Sequence, residues 1–288
     1  MSFRNIADIV DAENSGQYYY TMVRKQPSAS PTTNVFHDLA PSPGSPSPFY
    51  YASTPLESVA LRRSVHGGIN HGPNVSPKQK VLKSVCAFGG TTAWSNVTFY
   101  LCDYLLYYPF FDENDIDPQY MVNSATLPRY TDGKGVMILP VSVGSRTGGQ
   151  TYQINYTNQD GVSGQLSRVM YQNNSAAINS IMASPSGSST NFSSPFVSLA
   201  QGDTGVRSIE SVQMISGSDT GLMTFVLVKP LATYFLSDSL APNETDFALM
   251  QGGKMPIIED DAYLNLVCMS NGSYTATNVY HEMKFLYN

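Results

Sequence analysis

The sequence predicts a mainly β protein, an antiparallel β-sandwich or jelly-roll-like core with an extended N-terminal arm and a short N-terminal helix. Three observations lead to this prediction. First, short apolar segments recur from about residue 133 onward. Second, these segments are separated by Gly, Pro, Asn and Ser. Third, residues 40–48 are dense in Pro and Ser. We therefore expect the helix and arm within residues 1–90 and the β-sandwich core within residues 91–288.

The N-terminal residues predict a helix followed by an arm. Ser2 can cap a short helix, and Gly16 can end it. Ile6, Ile9 and Val10 recur at helical spacing between them.

The arm is a Pro- and Ser-rich segment that opens at Gln26 and is densest from Ala40 to Pro48. Such a segment has too little apolar surface to fold by itself. Two alternatives stay open: the arm lies on a neighbouring molecule, or it packs on its own domain.

The core is predicted from alternation and apolar runs. Residues 98–109 are strongly apolar and predict either a buried strand or a short helix. Residues 150–157 alternate, with Tyr152, Ile154 and Tyr156 on one face, and the turn at 158–161 predicts a hairpin. The predicted strands are 136–143, 150–157, 162–171, 222–228, 262–269 and 279–287.

Composition predicts a protein that is largely covered by other proteins. Charged residues make up 13% of the chain, against roughly 25% in an ordinary domain, and there are 19 tyrosines. Charge depletion with tyrosine enrichment is typical of protein–protein interfaces. The net charge of −6 argues against a nucleic-acid partner, which requires a basic face.

Three cysteines without CxxC spacing predict buried free thiols. The N-terminal residues show no apolar run typical of a signal peptide, and no stretch has the length and apolarity to span a bilayer. We therefore expect synthesis in a cytoplasm and no membrane partner.

The acidic loop 112–117 is the best candidate site. Asp112, Asp115 and Asp117 are weak candidates for a metal, because carboxylates at nearly alternate positions suit Ca²⁺. A solvated or partner-facing loop is the favoured alternative, and a catalytic carboxylate pair is the third. We predict no catalytic residue, no cofactor and no bound metal.

Other polar residues have structural explanations that are favoured over chemical ones. His66 and His71 flank a Gly-rich loop without an obvious third metal ligand, and His281 falls on an apolar strand face. The acids at 259–261 precede a predicted strand. Arg207 is expected to pair with a flanking acid.

Several segments together resemble uncharacterised virion structural proteins of tailed bacteriophages, over most of the chain. They are Cys102–Phe110, Leu127–Gly133, Tyr156–Val162, Gly202–Ser211 and Val228–Ala232.

This resemblance implies a non-enzymatic virion protein, and no functional residues transfer with it. A capsid decoration, cement or minor capsid protein that bridges major capsid protein subunits is the leading expectation. A homotrimer is expected by analogy with jelly rolls. The alternatives are a tail, collar or fibre component that binds a glycan or receptor, for which Trp94 is the one tryptophan, and a glycan-cleaving enzyme.

Overall fold

The computed structural model describes most of the chain. The described residues are 3, 5–29, 33–147, 149–173, 177–183, 194–216, 220–250, 254–269 and 271–288. Three predicted features lie wholly or partly outside the described residues: the Ser2 cap, part of the arm, and part of the turn before residue 222.

The helices are α1 (Ile6–Asn14) and α2 (Arg63–His66), with a 3-10 turn at Thr92–Trp94. The strands are β1 (Tyr18–Lys25), β2 (Phe36–Asp38), β3 (Gly44–Ser45), β4 (Val59–Ala60), β5 (Lys80–Gly89), β6 (Val97–Asp112), β7 (Gln119–Tyr120), β8 (Met137–Ser142), β9 (Thr151–Asn158), β10 (Gln165–Leu166), β11 (Met170–Tyr171), β12 (Val206–Ser216), β13 (Leu222–Leu236), β14 (Asn243–Asp246), β15 (Leu264–Met269) and β16 (Val279–Tyr287).

The strands form three antiparallel sheets. The central sheet has the order β2-β15-β6-β13-β8, with β4 also on β6. The terminal sheet, which contains both ends of the chain, has the order β14-β5-β16-β1-β3. The distal sheet has the order β10-β9-β12-β7, with β11 on β9. The mainly β, sandwich-like fold is therefore confirmed, together with the short N-terminal helix.

The central sheet serves two hydrophobic cores through its long strands β6 and β13. Phe99 and Tyr234, at one end of these strands, pack in the core shared with the terminal sheet. Tyr108 and Phe225, at the other end, pack in the core shared with the distal sheet. Each long strand is therefore buried against two different sheets along its length.

Residues 179–182 connect the two end strands of the central sheet. On the β8 side, the N–H of Ser142 donates to the carbonyl of Ser180 at 2.9 Å, and the N–H of Met182 donates to the carbonyl of Pro140 at 2.7 Å. On the β2 side, the N–H of Ile181 donates to the carbonyl of Phe36 at 2.8 Å. The outer sides of β2 and β8 are thus covered by the protein's own backbone, which protects these two strand edges from unwanted pairing.

The N-terminal helix is shorter than predicted. Asn5 is its cap, because the Asn5 side chain accepts from the N–H of Asp8 and the Asp8 carboxylate accepts from the N–H of Asn5. This reciprocal arrangement is a capping box and satisfies two otherwise unpaired donors. Gly16, at φ +67°, follows the helix as predicted.

Most strand predictions are confirmed, and the ambiguous segment 98–109 is a strand within β6. Strand β9 buries Tyr152, Ile154 and Tyr156 on one face, as expected. The predicted return arm of this hairpin, 162–171, is broken into the two short strands β10 and β11, which both pair with β9.

The Pro- and Ser-rich arm packs on its own chain over residues 35–49, so the second of the two alternatives holds there. Lys25, at the end of β1, is fully buried and its ammonium donates to three carbonyls of the arm, those of Ala40, Ser42 and Pro46, at 3.4, 3.2 and 3.0 Å. Burial lowers the pKa of Lys25 to about 8, and the nearby Asp38 opposes this shift. Gly44 lies so close to β1 that a Cβ there would overlap the carbonyl of Arg24.

Asp38 anchors the start of the same arm. Its fully buried carboxylate accepts hydrogen bonds from the hydroxyls of Tyr51 and Tyr104, at 2.5 and 2.7 Å, and from the N–H of Ala40. Burial raises the pKa of this carboxyl, and the two tyrosine hydroxyls oppose that shift. The arm is therefore tied to β1 by Lys25 and to β6 by Asp38.

A buried ion pair fixes the middle of β6. Arg129 donates to both oxygens of Asp103 at 2.7 Å, and its remaining contacts include the carbonyls of Leu61 and Tyr104. The N–H of Tyr263 also donates to Asp103. One charge pair thus holds three separate segments against the central sheet.

Replacing Lys25 with Met should loosen the arm, because three buried carbonyls lose their donor. We expect a loss of about 1–3 kcal/mol in the free energy of unfolding, and faster proteolytic cleavage within residues 39–49. Urea unfolding and limited proteolysis with mass spectrometry measure both. The control is Lys83→Met, which breaks the partly exposed pair with Asp246; equal effects of the two changes would contradict this role.

Removing either partner of the Asp103–Arg129 pair should cost about 3–5 kcal/mol, because the other charge is left buried without compensation. We expect Asp103→Asn and Arg129→Met to be strongly destabilising and the double variant to cost clearly less than their sum. A double-mutant cycle from urea unfolding measures the coupling. Additive costs would show that the two charges do not depend on each other.

Candidate functional site

The acidic loop does not gather its candidate carboxylates around one point. Asp112 accepts from the N–H of Asn114, and Asp115 accepts from the N–H of Asp117, so two of the three candidates each close a local turn. Asp112, Asp115 and Asp117 are all exposed. Within the described part of the chain, no group of three or more His, Cys, Asp or Glu residues is placed to hold a metal ion.

The buried acid of this loop is Glu113, which pairs with Arg146. Arg146 Nη2 lies 2.8 Å from Glu113 Oε2, and both side chains are almost fully buried. Arg146 also donates to the carbonyl of Asn173 and to the amide oxygen of Gln172. The pair joins the end of β6 to two loops, which is a structural role.

The three histidines considered as site residues each have different contact partners. His71 is buried, with Nε2 3.1 Å from the carbonyl of Ala262 and Nδ1 3.1 Å from the ammonium of Lys80. His66 instead lies beside the ring of Phe49. His281 is buried next to the Tyr234 hydroxyl, as its place on an apolar strand face predicts.

The acids at 259–261 hold loops in place. Asp260 accepts from the N–H groups of Val75 and Ser76, both at 2.9 Å. Glu259, Asp260 and Lys80 contribute to the lining of a cavity of about 360 Å³. Burial lowers the pKa of Lys80 to about 8, and Asp260, 3.9 Å from its ammonium, opposes the shift.

Arg207 does not pair with a flanking acid in this structure, contrary to expectation. Its guanidinium donates to the carbonyl oxygens of Asp132 and Gln159, at 2.7–3.3 Å. A side chain with five donors can satisfy backbone carbonyls as readily as a carboxylate, and sequence proximity to acids does not decide between them.

Large apolar side chains are exposed on several faces. Tyr20 and Met22 are about half exposed on the outer face of the terminal sheet, beside Tyr18. Tyr120, on the edge strand β7 of the distal sheet, is 73% exposed. These side chains are the kind that anchor protein–protein contacts.

The candidate functional site is a cleft between β13 and β14. Its larger part has a volume of about 680 Å³, and its lining includes Thr233 and Phe235 from β13 and Glu244 from β14. An adjoining cavity of about 300 Å³ continues past Thr233 to Leu231 and Lys254. Exposed apolar groups with charges of opposite sign at the two ends make this cleft suited to binding a ligand.

Sequence reasoning missed this cleft. Residues 222–228 were predicted as a strand, whereas β13 continues to Leu236, and β14 was not predicted. The apolar and aromatic residues from Leu231 to Leu236, which extend the predicted strand without a turn residue, were the available signal for the continuation.

A scan against protein-family models matched none of them, and searches of curated proteins and of solved structures likewise found no match to this chain. The resemblance to bacteriophage virion proteins therefore stays a prediction. Among the described helices, none is long and apolar enough to cross a membrane.

Replacing His37 with Phe should stabilise the protein increasingly as the pH falls. His37 is fully buried without a hydrogen-bond partner for either ring nitrogen, and burial lowers its pKa from 6.5 to about 3. Between these values the unfolded chain binds the extra proton, so His37 costs stability as the pH falls through this window.

The advantage of the His37→Phe variant should grow by up to about 1.4 kcal/mol per pH unit below pH 6.5. Urea unfolding of the variant and the original protein at about pH 8, 6.5 and 5 measures this difference. His66→Phe, at a partly exposed position, is the control. A stability difference that does not change with pH would contradict the burial of a neutral imidazole at His37.

Proposed function

We propose that this protein is a non-enzymatic structural component of a bacteriophage virion. Within the virion we assign it to the head, as a decoration, cement or minor capsid protein that bridges neighbouring shell subunits. The observation that carries the proposal is the low charged content of the chain, 13%, together with exposed aromatic rings on more than one sheet. A bridging protein needs separate contact faces, and repetition over a shell multiplies modest contacts.

The exposed rings offer such faces. Tyr20 lies on the terminal sheet, and Tyr120 lies on the distal sheet. Tyrosine contributes large buried area at low entropic cost when it enters an interface. Two aromatic faces on one protein favour simultaneous contact with two neighbours.

The buried charges favour a structural role over a catalytic one. The Asp103–Arg129 and Glu113–Arg146 pairs are each buried and hydrogen-bonded to backbone or amide groups. Their bonds hold loops on the sheets, and neither pair lines a described cleft. This use of charge suits a rigid building block.

A tail, collar or fibre component that binds glycan or receptor is the second candidate. The cleft between β13 and β14 favours it, because Phe235 is 47% exposed there beside Thr98, Thr233 and Thr245. An aromatic ring that borders hydroxyl groups can hold the apolar face and the hydroxyls of a sugar. Oligosaccharide arrays test this candidate directly.

If the protein is a head component, it should be found in intact virions and sediment with heads separated from tails. Adding the purified protein to heads that lack it should restore binding. Tyr20→Ser or Tyr120→Ser should weaken that binding about tenfold or more if its ring is an anchor. Quantitative sedimentation measures this, and each variant is the control for the other because they lie on different sheets.

Recovery with tails would move the assignment to the second candidate. Absence from the virion would refute the proposal. Unchanged binding of both tyrosine variants would refute the aromatic contacts while leaving the virion location in place.

A further inference from the structure

The second half of β13 has a strand edge that the described residues leave unpaired. Strand β8 pairs with β13 only from Met223 to Val228. Beyond that point, up to Leu236, the described pairings of β13 are all with β6. A strand bonded on one side directs about half of its N–H and C=O groups to the open side.

The same edge borders the cleft. Residues 231–233 line its smaller part and residues 233–235 line its larger part, so the cleft follows the strand. The opposite wall includes Glu244 and Met250 near Phe235, and Lys254 and Pro256 near Leu231. Thr98 of β6, which pairs with Phe235, also lines the larger part, so the cleft extends over the exposed side chains of β13 as well as along its unpaired edge.

We propose that this edge binds an extended strand from a neighbouring polypeptide, which pairs with residues 231–236 of β13. This mode, β-augmentation, takes its affinity from main-chain hydrogen bonds and its specificity from alternate side chains. The inference rests on the proposed function only for the source of the strand, a neighbouring virion protein.

The charges of the cleft define the strand that it accepts. Glu244 lies at the Phe235 end and Lys254 lies at the Leu231 end. A complementary strand carries a basic residue at the first end and an acidic residue at the second, with small apolar side chains between them. This charge order fixes the direction in which the strand binds.

The start of the edge is protected. Pro230 has no N–H to donate, and the ammonium of Lys229 is held by the carbonyl of Lys134 at 2.6 Å. Proline and lysine are residues that natural proteins place on edges to prevent pairing. These two residues stand only at positions 229 and 230 of the edge, so residues 231–236 remain available to pair with a partner strand.

Synthetic peptides test the inference without knowledge of the natural partner. The probes have about seven residues, enough to span 231–236, with valine and threonine alternating between a terminal lysine and a terminal glutamate. Both orders of the two charges are made, and a scrambled peptide of the same composition is the control. Fluorescence anisotropy with the full-length protein measures binding.

We expect one charge order to bind about tenfold more tightly than the other. N-methylation of one alternate set of peptide nitrogens should abolish binding, whereas methylation of the other set should not, because only one set faces β13. The double variant Glu244→Lys with Lys254→Glu should reverse the preferred charge order. The matched control, Glu282→Lys with Lys78→Glu, makes the same changes at exposed sites outside the cleft lining and should leave the preference unchanged.

Absence of binding, or binding that neither N-methylation nor the charge reversal alters, would overturn the inference. Binding of oligosaccharides in place of peptides would assign the cleft to sugar recognition and overturn it as well. If peptides fail while the protein still sediments with heads, the edge inference fails alone. If peptides bind and the protein is absent from virions, only the virion proposal fails.

Discussion

The structure depends on the pairing of β6 with β13. The two strands pair from Leu222 opposite Asp112 to Leu236 opposite Val97, and this ladder is long enough to reach both cores. The register shifts between Pro230 and Ala232, near the point where β13 passes from one core to the other. Such an irregularity bends a strand and increases its twist, which allows one pair of strands to face the distal sheet at one end and the terminal sheet at the other. Without this ladder the two outer sheets would have no common layer.

Buried charges attach the rest of the chain to that ladder. Asp103 lies on β6 and holds Arg129 together with the start of β15. Lys25 and Asp38 hold the Pro- and Ser-rich arm, whose composition gives it little apolar surface of its own. Removal of any one partner leaves a buried group without compensation. A chain with only 13% charged residues thus uses several of them inside the protein, where each fixes a segment.

The sequence predicted the parts of the fold that depend on local pattern. Alternation located β9 and β16, and the turn at 158–161 located the hairpin. The sequence did not decide whether residues 98–109 form a strand or a helix, because a segment buried on both faces has no alternation to detect. The connection of β8 to β2 through residues 179–182 and the cleft beside β13 depend on contacts between distant residues, which no local pattern contains. The spacing of the acids in loop 112–117 indicated a candidate metal site, but hydrogen bonds within the loop occupy two of its candidate carboxylates.

Strand β13 is continuous from Leu222 to Leu236, and the described residues leave its second half unpaired on one side. Amide-resolved hydrogen exchange by NMR tests this most directly. Amides from Met223 to Val228 should be protected throughout, because strands lie on both sides. From Leu231 to Leu236 protected amides should alternate with rapidly exchanging ones. Protection of every amide in that second half would mean that the edge is covered, and rapid exchange of all of them would mean that the strand is not formed; either result would contradict the account.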